Sequence, residues 1–88
     1  MNLYLIQQEV NCGYDTFDSA VVAAENEDDA RSISPSFETL DYGKNKLEPC
    51  TSFYHDWVCD SDKDRVKVTF LGTTELERCC VCSSFNAG

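Results

Sequence analysis

The first clear pattern in the chain is an alternation at its start. In residues 2–9, NLYLIQQE, Leu3 and Leu5 fall on one face of an extended segment, Tyr4 and Ile6 on the other. Apolar groups on both faces predict either a central position or a strand covered on both sides. Residues 10–19, VNCGYDTFDS, read as a connector, because Asn11, Gly13, Asp15 and Asp18 supply turn chemistry. AVVAA at 20–24 is a short, continuously apolar strand. ENEDDARSISP follows with a helix signature. Asn26 is an N-cap, and Glu27, Asp28 and Asp29 occupy the first turn, where the helix dipole favours anions. Ala30 and Ile33 share a face, and Pro35 ends the helix after about two turns.

Residues 36–56 carry no sustained period. DYGKNK reads as an exposed turn, Pro49 interrupts any regular element, and Phe53, Tyr54 and Trp57 are expected to anchor the segment on the core. VKVTFLG at 66–72 alternates again: Val66, Val68 and Phe70 point one way, Lys67 and Thr69 the other. LERCCVCSSF at 76–85 is the last strand, and strict alternation places Cys80 and Cys82 on one face and Cys79 on the other. The intervening GTTE predicts an antiparallel hairpin between these two strands. The order β-β-α-β-β indicates an α+β domain spanning residues 1–88: a small antiparallel sheet of four or so strands with one short helix.

Length and composition agree with one folded domain. The chain has 88 residues, 42% hydrophobic and 26% charged, near the averages for globular proteins. Charge narrows the partners. A net charge of −9 with only seven Lys or Arg leaves too few cations to neutralise phosphates, so no direct nucleic-acid binding is expected. An anionic membrane surface is disfavoured for the same reason, and a basic protein partner is favoured. The longest apolar run is Ala20 to Ala24, and MNLYLIQQEV lacks a basic segment followed by an apolar one. A cytoplasmic protein with its six cysteines reduced is the expectation.

Cys79 and Cys82 have zinc-knuckle spacing, and Cys50, His55 and Cys59 could complete four ligands. The strand pattern argues against the knuckle, so a small zinc-binding structural module is the alternative, and no metal or cofactor is the primary expectation. Asp60, Asp62 and Asp64 match the start of a calcium loop, but Arg65 and Leu71 stand where the loop needs Gly and Glu. His55 is the one histidine and has only Cys59 close to it in sequence, which argues against a cysteine nucleophile. No glycine-rich phosphate loop or Ser-His-Asp signature is present, so a non-enzymatic role is expected. The acidic residues remain. If the 10–18 connector folds over the helix start, Asp15, Asp18, Glu25, Glu27, Asp28 and Asp29 form one acidic surface, and Asp15, Asp18, Glu27, Asp28 and Asp29 are the residues expected to steer a basic partner.

YDTFDSAVVAAENEDDAR at 14–31, Trp57, VKVTFLG and the terminal SSFNAG resemble a family of small proteins encoded in tailed phages and prophages. The resemblance covers most of the chain, least at 36–56, and brings no catalytic motif. It implies a phage accessory gene expressed in the host bacterial cytoplasm. Small acidic products of such genes include inhibitors of host defence such as anti-CRISPR proteins. The expectation is therefore a protein-binding accessory protein that docks through its acidic surface on a basic host protein.

Overall fold

The computed structural model describes residues 1–11, 15–35, 57–58 and 60–86. Four strands make one sheet: β1 (Asn2–Gln7), β2 (Thr16–Ala24), β3 (Lys67–Thr73) and β4 (Cys79–Asn86). Among the described residues one α-helix, α1 (Glu27–Arg31), follows β2, and a 3-10 helix (Asp60–Arg65) precedes β3. The strand order is β3-β1-β2-β4 and every pairing is antiparallel. This is the α+β architecture that the alternation predicts. β1 is central, as its two apolar faces allow.

Two expectations are corrected. β2 begins at Thr16, so the second half of the predicted connector is strand. Phe17 explains this: it is fully buried and packs on Phe85 of β4, with ring centroids 4.9 Å apart. The hairpin between the last two strands is not formed. β3 pairs with β1 and β4 pairs with β2, so the two lie on opposite edges. The short connection after Thr73 spans three strand spacings, about 14 Å, across one end of the sheet. A reciprocal pair of bonds fixes its start: Thr74 N donates to Met1 O at 2.9 Å, and the Met1 ammonium donates to Thr74 O at 3.2 Å.

The core lies on one sheet face. Ile6 pairs with Ala20 on one side and Val68 on the other, and Tyr4 pairs with Val22 and Phe70. Ala30 and Ile33 from the α1 segment, with Trp57, Val58 and Val66, close over them. Trp57 is buried, as the anchoring role requires, while Phe53 and Tyr54 lie outside the described residues. Asn26 caps α1 by accepting from Asp29 N at 2.9 Å. Thus the predicted cap turns the chain from β2 and sets Ala30 and Ile33 onto the sheet.

Three residues are extra to the strand registers. Leu71 is skipped between β1 and β3, Asp18 between β2 and β4 on one side, and Val81 on the other. Each is a bulge, which twists the strand and resets which side chains face the core. At the first, Gly72 has φ 153°, a conformation that side chains beyond glycine's rarely adopt.

The packing predicts a steep contrast between positions. Ile6→Ala should lose about 3 kcal/mol of unfolding free energy, from lost burial and a cavity under both neighbouring strands. Leu71→Ala, at an exposed bulge, should change it by less than about 0.5 kcal/mol. Urea denaturation followed by Trp57 fluorescence reads both; equal losses would contradict the packing described.

Candidate functional site

One end of the sheet gathers the start of β1, the end of β2, α1 and the connection from β3 to β4. Asn2 sits between Ala24 and Thr73, and its side-chain amide donates to Glu25 O at 3.2 Å. Asp29 is the hub of this end. Its Oδ1 accepts from Arg78 Nε at 2.8 Å, and its Oδ2 accepts from Glu25 N at 3.1 Å. Both side chains of the Asp29–Arg78 pair are only 24% exposed. A charge-assisted bond this short and partly screened from water ties α1 to the first residue before β4, 49 positions away.

The remaining carboxylates at this end point outward. Glu25, Glu27 and Asp28 are exposed around α1, and Glu75 and Glu77 are exposed on the connection. Arg31 approaches Glu27 at 4.0 Å and Asp28 at 3.7 Å. These are loose contacts to side chains 60% and 99% exposed, and such pairs contribute little in water. The result is an acidic pole of five exposed carboxylates, with Arg31 beside them and Arg78 clasped beneath.

The five acidic positions proposed from the sequence are divided by this geometry. Glu27 and Asp28 belong to the pole. Asp29 lies there too, but its oxygens serve the fold. Asp15 and Asp18 are exposed at the far end of β2, on the order of 20 Å away along the strand. The connector does not fold over the helix start. Asp18 is a bulge residue whose carbonyl accepts from Gln8 N at 3.1 Å, and Asp15 turns the chain into β2 with φ 58°. Glu25, which the sequence also groups with these acids, belongs to the pole, and sequence reading missed Glu75 and Glu77. The signal lay in the connection after β3, whose acids become neighbours of α1 only once that connection crosses the sheet end.

The cysteine reading also changes. Because Val81 is skipped, Val22 pairs with Cys80, while Ala23 pairs with Cys79 and Val21 with Cys82. Cys80 therefore packs against the core, and Cys79 and Cys82 share the opposite face. Strict alternation grouped Cys80 with Cys82 because it ignored the bulge. Two thiols on one face are half of a tetrahedral zinc set. Among the described residues no three His, Cys, Asp or Glu side chains gather as a metal site. Cys50, His55 and Cys59, the other proposed ligands, lie outside the described residues, as does Cys12. The Cys80 thiol is pushed up to about 11, first by burial and then by the neighbouring Cys82 and Cys79.

No family model, no curated protein and no solved structure matches the chain. No helix among the described residues is long and apolar enough to cross a membrane.

Two measurements follow from this geometry. Arg78→Ala and Asp29→Ala should each destabilise, with a double-mutant coupling of about 1 kcal/mol, because the pair acts as one unit. Zero coupling would mean that the clasp does not form in solution. Alkylation with iodoacetamide at pH 8, read by peptide mass spectrometry, should modify Cys80 more slowly than Cys79 and Cys82. Its thiol stays protonated until the pH approaches about 11, and the thiolate is the reactive form.

Proposed function

We propose that the protein is a non-enzymatic accessory protein of a phage, which binds a host protein in the bacterial cytoplasm and inhibits it. The role is that of an anti-defence factor, anti-CRISPR-like in character, and the docking surface is the acidic pole. One observation carries the reading: Glu25, Glu27, Asp28, Glu75 and Glu77 are all exposed at one end of the sheet.

Carboxylates so arranged create a negative field that speeds encounter with a basic groove and rejects acidic surfaces. A net charge of −9 extends the same preference to longer range. The Asp29–Arg78 clasp holds the two acidic segments in one place, so little ordering is needed when a partner binds. An acidic surface suits a target whose own nucleic-acid groove is positive. The phage resemblance of residues 14–31 and of the terminal SSFNAG supplies the biological setting.

The test is capture from a host lysate by the tagged protein and by a neutralised variant. Glu27→Gln, Asp28→Asn, Glu75→Gln and Glu77→Gln together should abolish capture of the specific partner while the fold persists, because none of these side chains is buried. Capture should also weaken as salt rises, through screening of the field. A partner retained equally by the neutralised variant would refute docking through this pole.

A further inference from the structure

We propose that the other end of the sheet holds a binding site for a small phosphate monoester, distinct from the acidic pole and independent of the function proposed for it. The observation is a cavity of about 530 Å³ between the end of β1 and the start of β3, lined by Gln7, Gln8, Glu9, Val10, Arg65 and Lys67. That volume is in the range of small-molecule sites.

The distribution of cations singles it out. Five Lys or Arg are among the described residues. Arg31 and Arg78 are engaged with the acids of α1. The other three, Lys63, Arg65 and Lys67, fall within five residues of one another, and two of them line this cavity. Arg65 and Lys67 are exposed and make no ion pair with any described carboxylate. In a chain of net charge −9, two cations that line one cavity and have no ion pair among the described residues are unexpected as mere solvation of the surface. Asp62 and Asp64 alternate with them on the 3-10 helix, and Asp15 and Asp18 lie on the β2 side of this sheet end, but none of these lines the cavity.

The opposite wall is built to stay in place. The Gln8 side chain is buried and fully committed: Nε2 donates to Asn11 O at 2.7 Å and to Phe17 O at 2.8 Å, and Oε1 accepts from Asn11 N at 2.7 Å. It thereby locks the turn that carries Glu9 and Val10. Gln7 is half-buried, pairs across the sheet with Lys67 and lines the same cavity.

This donor set reads as one ligand class. Arg65 offers a planar fork matched to phosphate oxygens, and Lys67 adds a point charge. A phosphate monoester carries a charge of about −1.5 to −2 at neutral pH, so it gains more from two adjacent cations than a singly charged carboxylate does, and it must do so against the Glu9 carboxylate on the same lining. Glu9 also lines the cavity but has an interaction of its own, so it is not part of the ligand-binding set. A long polyanion is disfavoured by the net charge, whereas a small one meets only the local field.

The experiment is a titration of labelled protein at constant ionic strength, following backbone amide shifts, with inorganic phosphate, glycerol 3-phosphate and acetate as probes. Saturable shifts confined to residues 7–10 and 65–67 are expected with glycerol 3-phosphate, weaker ones with inorganic phosphate, and the weakest with acetate. Arg65→Ala and Lys67→Ala should each weaken binding about tenfold, the loss of one charge-assisted bond. Lys63→Ala, equally cationic but outside the lining, should leave it unchanged. Equal weakening by Lys63→Ala would show diffuse charge attraction and overturn the site. So would the absence of saturation with either phosphate probe, or acetate binding as tightly as both.

Discussion

Everything in this fold depends on β1 being hydrogen-bonded on both sides. Its six residues pair with β2 across one edge and with β3 across the other, and Ile6 is wholly excluded from water between Ala20 and Val68. A central strand must satisfy its backbone groups through its neighbours, so β1 dictates where both can lie. β2 then supplies the second attachment edge, and β4 takes it. The helix has five residues, too few to be stable by itself, and depends on burying Ala30 against this sheet.

The same arrangement sorts charge by position along the strands. The end where β1 begins receives α1 and the connection to β4, and with them Glu25, Glu27, Asp28, Glu75 and Glu77. The end where β1 finishes receives the 3-10 helix and the start of β3, with Lys63, Arg65 and Lys67. The cations are already close in the sequence, but the acidic group is not visible there as a unit. Antiparallel pairing brings its members together, because it places the finish of one strand beside the start of the next.

Much of the local structure was legible. Alternation located three of the four strands, Asn26 marked the helix start, and the two apolar faces of β1 matched its central position. What failed was non-local or broke a period. Turn-forming Asp15 and Asp18 masked the start of β2, because a bulge tolerates a residue that pairing would not. A short link between β3 and β4 suggested a hairpin, but edge positions beside β1 and β2 gave both strands better partners. Skipping Val81 reversed the facing of Cys82 relative to Cys80, which no period-2 reading can anticipate. The acidic site was partly legible: Glu25, Glu27 and Asp28 could be named, while their neighbours Glu75 and Glu77 required the crossing of the sheet end.

That crossing has a kinetic consequence. β1 and β2 are joined by a short connection and can pair early, as a local hairpin. Both edge strands come from the final third of the chain, so each must close a long loop before it gains any pairing. The link after Thr73 then couples the two closures. Once β3 docks on β1, with Thr74 bonded to Met1, Arg78 is delivered within reach of Asp29 and β4 is held at the edge it must join. The second edge therefore assembles at a much smaller entropic cost than the first, and the sheet completes cooperatively.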